Sequence, residues 1–336
     1  MDRIAIGDAS EVLIGYGLPD PLLPPRVGRE KSVVLTQPGA RTIARRVAEI
    51  IQAPSYELPD REAAKTWKAV GEVYEWLEMQ SLSRDDTIVG VGGGTVTDVA
   101  GFVAATWLRG VEVVHVPTTL LGAVDAAVGG KSGFNVGGKN MVGAFHHPSR
   151  VVIDIDELAQ LPRELWLEGV AEAIKVGLIG DPDLIELFVR HGENAPLPEI
   201  VARSVQVKAS VVNEDFRERD RRAILNFGHT VGHAIEVASG LPHGMALGVG
   251  MVAAGAISAH RYEFSNLWLR DLIQSVGLPV AAPEVDLEEV RALIAFDKKR
   301  TAEGLRMVLL RGVGEPAVEV VTEEEIMLGL AAIGLS

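Results

Sequence analysis

Residues 87–107, TIVGVGGGTVTDVAGFVAATW, decide how this chain folds. A β-branched strand runs into three glycines, Gly92, Gly93 and Gly94, and a helical spacing of apolar residues follows. A glycine turn between strand and helix lets backbone N–H groups approach a pyrophosphate, and the positive end of the helix favours negative charge there. The stretch is not the G-x-G-x-x-G dinucleotide fingerprint, and it has no P-loop lysine. Asp98, in the first part of the helix, is placed either to bond a cofactor or to act as a cap.

The same alternation extends outward on both sides. Ser32–Thr36 is a short β-branched run, Pro38–Gly39 breaks the chain, and a helix is expected over Ala40–Gln52. Helical periodicity marks residues 61–80, and VEVVHVPTT and RVVIDIDEL are further strands. Strands alternating with helices predict a mostly parallel, Rossmann-like sheet with helices on its faces. After about Asp156, Ala- and Leu-rich helical segments take over, and β-branched runs return only at RMVLLRG and AVEVVT. The expected organisation is an α/β domain over residues 1–156 and a largely α-helical domain over residues 157–336, with a hinge near 154–162.

Composition narrows the function. A net charge of −14 argues against a general nucleic-acid binder, because phosphate backbones need basic surfaces. With no cysteine there is no disulfide framework and no thiolate ligand, so any metal must be held by histidines and carboxylates. The N-terminus, MDRIAIGDAS, has no basic region followed by an apolar run, so no signal peptide is expected, and no apolar run is long enough to span a membrane. A cytoplasmic protein without a membrane partner is expected. Six of the nine lysines fall in segments where chemistry is expected, which points to an anion-binding cleft in an acidic protein.

Three constellations carry that chemistry. VDAAVGGKSGFNVGGKNMVGAF (124–145) sets Asp125, Lys131, Asn135, Lys139 and Asn140 among glycines, a loop suited to a carboxylate- or phosphate-bearing ligand. GVAEAIKVG places Glu172 and Lys175 on one face of an apolar helix. In RRAILNFGHTVGHAIE, steps of three and four residues predict one helical face carrying Arg222, Asn226, His229 and His233, with His243 following in LPHG. A catalytic metal needs three protein ligands and an open position. Glu172 with two of the three histidines meets that count, and spacing alone favours His229 and His233 without excluding His243.

Taken together, GGGTVTDVAGFVAATWLRG, VPTTLLGAVDAAVGGKSGFN, GKNMVGAF, LPRELWLEGVAEAIKVG, RRAILNFGHTVGHAIE, LPHG and DKKR resemble the 3-dehydroquinate synthase family over about residues 59–310. The resemblance implies an NAD-binding α/β domain and a helical metal- and substrate-binding domain, usually in a homodimer. It implies conversion of 3-deoxy-D-arabino-heptulosonate 7-phosphate to 3-dehydroquinate and phosphate, with transient reduction of NAD+. Alternatives on the same scaffold are the sister cyclases acting on glucose 6-phosphate or sedoheptulose 7-phosphate, and a metal-dependent NAD polyol dehydrogenase.

By the same resemblance the metal, zinc or else cobalt, is held by Glu172, His229 and His243, while His233 faces the substrate. Lys131, Asn140, Lys208, Arg222, Asn226, His233 and Lys298 or Lys299 match substrate contacts. Asp125, Lys175 and Glu218 match residues near the reacting centre. Arg109 matches an arginine lent to the neighbouring subunit's phosphate site. Glu62, Lys65, Gly93, Gly94, Asp98, Thr118, Thr119, Asp125, Lys131 and Lys139 match the cofactor side. Phe216 departs from the family pattern, which has an acid there.

Overall fold

The computed structural model describes residues 1–24, 31–298 and 304–336. They form two compact units. The first comprises Met1–Pro162 with Lys208–Arg217, and the second Arg163–Val207 with Glu218–Ser336.

The first unit contains β1 (Asp2–Ile6), β2 (Ser10–Gly15), β3 (Ser32–Thr36), α1 (Arg41–Ile51), β4 (Ser55–Glu57), α2 (Trp67–Met79), β5 (Thr87–Gly92), α3 (Gly94–Thr106), β6 (Glu112–Pro117), β7 (Lys131–Phe134), β8 (Val142–Phe145), β9 (Arg150–Asp154) and α4 (Ile155–Leu158). Seven of these strands form one sheet in the order β1-β2-β9-β6-β5-β3-β4. Only the β1–β2 pair is antiparallel; the other pairings run parallel.

Alternation within the strands explains the layering. Val33, Leu35, Ile88 and Val113 point to one face, where they meet Val70, Val73 and Leu77 of α2 and Val96, Val99 and Val103 of α3. Val34, Val89, Val91, Val114 and Val116 point to the other, against Ile43, Ala44 and Val47 of α1. A strand covered on both sides must be apolar at successive positions, which is why β5 and β6 read as continuous runs. Each such valine contributes roughly 1.5–3 kcal/mol by leaving water. At the C-terminal end of β5 this sheet delivers Gly93 to the start of α3, and no side chain caps that helix.

Two expectations fail within this unit. Residues 61–80 are not one helix: a 3₁₀ turn, Arg61–Ala64, precedes α2, which starts afresh with Thr66 accepting from the Ala69 N–H. The glycine-rich stretch 124–145 is not a plain loop either. It forms a π-helical turn at Gly122–Ala126 and then the β7–β8 hairpin, in which Ser132 pairs with Ala144 and Gly133 with Gly143. A Cβ on Gly143 would come within 2.4 Å of the Ser132 carbonyl, so the glycines serve tight strand pairing rather than looseness.

The second unit contains α5 (Arg163–Gly180), α6 (Pro182–His191), the first part of α7 (Leu197–Glu214), α8 (His229–Ser239), α9 (His243–Arg261), α10 (Asn266–Ser275), α11 (Leu287–Lys298), β10 (Arg306–Gly312), β11 (Glu315–Val320) and α12 (Glu323–Ala332). The two strands pair antiparallel, and the rest is helical. Helix α9 is the axis of the unit: all fourteen positions from Ala246 to Ser258 together with Gly244 are buried. Among the described residues no helix is long and apolar enough to cross a membrane.

Candidate metal and cofactor sites

Helix α5 is buried from Gly169 to Ile179, yet it carries Glu172 at 1% exposure and Lys175 at 1%. The two are three residues apart, and Glu172 Oε2 lies 2.7 Å from Lys175 Nζ. Burying an ion pair is costly, and apolar residues would pack α5 at least as well. The pair is therefore better explained by chemistry than by stability. Glu172 Oε1 faces two imidazoles, His229 Nε2 at 3.3 Å and His243 Nε2 at 3.0 Å.

These donors fit a divalent ion. A four-coordinate ion with bonds of roughly 2.0–2.1 Å keeps its donors about 3.3 Å apart. The three donor atoms of Glu172, His229 and His243 all lie within 4.8 Å of one another. One carboxylate and two imidazoles suit zinc or cobalt, and leave room for a further ligand. His233 is exposed, and its ring lies 5.0 Å from that of His229 and 5.9 Å from that of His243.

Electrostatics bind the cluster together. Burial alone would raise Glu172, but the Lys175 ammonium and hydrogen bonds from His229 and His243 outweigh it and hold the carboxyl well below its ordinary range. For His243, burial opposes the charged form; hydrogen bonds to Glu172 and Glu236 prevail and raise it to about 10.

The expected single face through Arg222, Asn226, His229 and His233 is not formed. Arg221–Asn226 is a 3₁₀ turn, Phe227 is extended, and Gly228 has φ of 78°. That left-handed residue is costly for anything but glycine, and it restarts the chain as α8 on a new axis. The break leaves Arg222 buried at 2% exposure and Asn226 exposed, with Asn226 Nδ2 3.4 Å from Glu218 Oε1.

In the first unit the polar residues join into one network. Lys65 Nζ lies 2.5 Å from Asp98 Oδ2 and donates to Asn140 Oδ1 at 2.9 Å. The Asn140 N–H donates to Asn135 Oδ1 at 2.8 Å, and Asn135 Nδ2 donates to Glu62 Oε2 at 2.7 Å. Burial pushes Asp98 above the usual carboxylate range, and Lys65 only partly offsets it. The contact in which Asp98 takes part is with Lys65, which it anchors. Lys208 donates to both the side chain and the carbonyl of Asp125, with Oδ1 at 2.6 Å.

Gly93 and Gly94 sit at the uncapped N-terminus of α3, where a Cβ would meet Thr119 at 3.1 Å or Ala126 at 3.2 Å. Bare backbone at the start of a thirteen-residue helix suits a phosphate group. Thr118 donates its N–H to the Gly92 carbonyl beside that turn.

Profiles of two domains match the chain: 3-dehydroquinate synthase N-terminal over residues 55–168 and 3-dehydroquinate synthase C-terminal over residues 169–300. The 3-dehydroquinate synthase of Thermobifida fusca (strain YX) is 44% identical over 338 residues, covering 94% of this chain and 92% of its own length. This chain belongs to the 3-dehydroquinate synthase family. Another member, from Mycolicibacterium vanbaalenii, is 44% identical over 91% of this chain and 90% of its own.

Solved structures of sister enzymes share the fold of this family member. A 2-deoxy-scyllo-inosose synthase, in complex with carbaglucose-6-phosphate, NAD+ and Co2+, superposes with a TM-score of 0.86 at 28% identity, over 98% of this chain and 99% of that one. A 2-epi-5-epi-valiolone synthase from Streptomyces hygroscopicus, with NAD+ and Zn2+ bound, gives 0.85 at 25% identity over 99% and 98%. The butanol dehydrogenase A of Thermotoga maritima shares the fold at 15% identity and a TM-score of 0.68.

Other expected residues of this synthase-family chain stand as follows. Lys131 and Lys139 are exposed, at the start of β7 and in the hairpin loop. Arg109 is exposed on a turn where it and Leu108 have φ of 72° and 49°. The side chain of Lys298 and all of Lys299 lie outside the described residues. Two positions were not anticipated in their present roles. Asn135 joins Asn140 to Glu62, and Glu236 contacts His243 Nδ1 at 2.9 Å. Glu236 had a signal in the sequence, since it follows His229 by two helical turns and shares its face.

Proposed function

We propose that this chain is a 3-dehydroquinate synthase, converting 3-deoxy-D-arabino-heptulosonate 7-phosphate to 3-dehydroquinate and phosphate. The observation that carries the reading is the 44% identity, over 94% of the chain, to an enzyme of that name. NAD and a divalent metal are its cofactors, supported by NAD+ with Co2+ or Zn2+ in two sister enzymes. Zinc is the metal we assign, held by Glu172, His229 and His243. When bound, NAD+ would accept and return a hydride, and the metal would make a substrate hydroxyl more acidic.

The chain's own residues do the rest. In the first unit, Gly93, Gly94, Asp98, Thr118, Thr119, Asp125 and Lys139 serve the cofactor's phosphates and nicotinamide ribose, and Glu62 and Lys65, joined through Asn135 and Asn140, serve the adenosine ribose. Lys131, Asn140 and Lys208 bind substrate oxygens, with Lys208 also holding Asp125 in place. In the second unit, Arg222, Asn226 and His233 contact the substrate, Glu218 orients Asn226, and Lys175 keeps Glu172 ionised. Lys298 or Lys299 completes the set from the family resemblance. Fixed cations suit a substrate bearing a carboxylate and a phosphate, because charge-assisted hydrogen bonds hold those groups in place. The enzyme works in the cytoplasm as a homodimer, with Arg109, held outward by the left-handed turn, serving the neighbouring site.

The test is phosphate release from 3-deoxy-D-arabino-heptulosonate 7-phosphate with catalytic NAD+, with and without a chelator. Release that needs NAD+, stops with chelator and leaves no net NADH is expected. Inert protein that turns over glucose 6-phosphate or sedoheptulose 7-phosphate would reassign it to a sister cyclase.

Metal uptake should also depend on pH. His243 carries a proton in the metal-free protein up to about pH 10, and a metal can bind its Nε2 only after that proton leaves. Metal binding is therefore expected to release a proton near pH 8, with affinity falling up to about tenfold per unit as pH drops. The sign reverses for the metal-free fold. The charged His243 contributes stability that is fully present below about 6.5 and lost as pH rises through about 10. Calorimetric titration in buffers of different ionisation heat measures the proton release.

A further inference from the structure

We infer that Glu236 is a positioning residue for the metal centre, selecting which nitrogen of His243 faces the ion. The inference rests on the metal reading of Glu172, His229 and His243 given above and extends it by one residue.

The geometry is a line of three groups. His243 Nδ1 lies 2.9 Å from Glu236 Oε2, and His243 Nε2 lies 3.0 Å from Glu172 Oε1. An imidazole that gives a metal the lone pair of one nitrogen keeps its hydrogen on the other. A carboxylate accepting the Nδ1 hydrogen fixes that tautomer, holds the ring plane and makes Nε2 a better donor. Backbone structure sets the arrangement. Helix α8 ends at Gly240, whose φ is 72° and whose N–H donates to the Glu236 carbonyl. Leu241 is held by the Ser239 hydroxyl at 3.1 Å, and two residues later the chain starts α9 with His243. The turn thus folds His243 back against Glu236, seven residues earlier.

His233, Glu236 and His243 also have donor atoms within 4.8 Å of one another. That set competes with the first for His243. Two observations favour Glu172 as the ligand and Glu236 as the support. Glu172 is reached by two imidazole Nε2 atoms, whereas Glu236 meets His243 through Nδ1. Glu172 is at 1% exposure beside Lys175, while His233 is exposed.

The experiment measures Co2+ affinity at one pH by competition with a chromophoric chelator, together with the visible absorption of the Co2+-loaded protein. E236A should still bind one equivalent, with affinity about 10–100-fold weaker and an altered spectrum. E236Q, whose amide oxygen still accepts the Nδ1 hydrogen without a charge, should fall between E236A and the parent. E172A should bind no Co2+. If E236A does not fold, E236Q decides: parental affinity and spectrum overturn the inference. It is equally overturned if E236A binds as the parent does, or if E236A loses all Co2+ while E172A keeps it, which would make Glu236 a ligand. A parent protein that takes up no divalent ion overturns both this inference and the metal reading beneath it.

Discussion

Glu172→Gln is expected to abolish divalent-metal binding and lower turnover by at least about a thousandfold, the equivalent of roughly 4 kcal/mol of lost transition-state stabilisation. It should also lower stability. Glu172 is the counter-charge of Lys175, and both are within 2% of full burial. Removing one partner of a buried pair costs about 3–5 kcal/mol, because the other charge is left without compensation. Thermal unfolding and metal content of the purified variant measure the two effects separately. Histidine variants give the sharper comparison. His243→Ala should lose the metal, because its Nε2 is 3.0 Å from Glu172. His233→Ala should keep the metal, because His233 is exposed and lies outside the Glu172–His229–His243 group, and should lose turnover through its proposed contact with the substrate. The reverse pattern would sink the assignment of ligands.

Gly250→Ala, a change of one methyl group, should be nearly as damaging. A Cβ at this position would lie 2.1 Å from the Gly228 carbonyl oxygen and 2.6 Å from the Gly232 nitrogen. The three nearest atoms it would meet are all backbone, so no side chain can swing aside to make room. Either α9 moves away from α8 or the local helix distorts, at a cost of about 3 kcal/mol or more. The consequence reaches the site because α8 begins with His229 and α9 with His243. A few tenths of an ångström between these helices changes the separation of two metal ligands. The expected result is a drop in thermal midpoint together with weakened metal binding. A variant with parental stability and parental affinity would show that the helices are not held by this contact.

Some of this was legible from residue type alone, and some was not. β5 and α3 could be read because a doubly covered strand needs successive apolar residues and a phosphate turn needs glycine, so two independent constraints coincide in one short stretch. β1 and β2 escaped because DRIAI and SEVLIG are short and half polar, and their strand character comes from pairing with each other and with β9. The β7–β8 hairpin was masked by glycines that look like flexibility but permit close pairing. The continuous polar face from Arg222 to His233 failed because periodicity cannot see one left-handed residue, and Gly228 is that residue. Spacing left the choice of histidine ligands open. Family resemblance favoured Glu172, His229 and His243, and the distances bring those three together. Phe216, where the family pattern has an acid, packs face to face on His147 at 3.9 Å and edge-on to Phe145. Nothing in its own neighbourhood of the sequence announced those partners.

Helix α7 starts in the second unit, and from Lys208 onward its residues belong to the first. The first unit is therefore not finished when its sheet is. Asp125 awaits an ammonium 83 positions further along, and the His147 ring awaits Phe216. On a ribosome, which delivers the chain from the N-terminus, the sheet emerges complete while these groups still lack their partners, and more than forty residues assigned to the other unit must be made first. The order of synthesis thus couples the maturation of the two halves. A gene cut at the apparent domain boundary would yield a first half without the lysine that steadies Asp125.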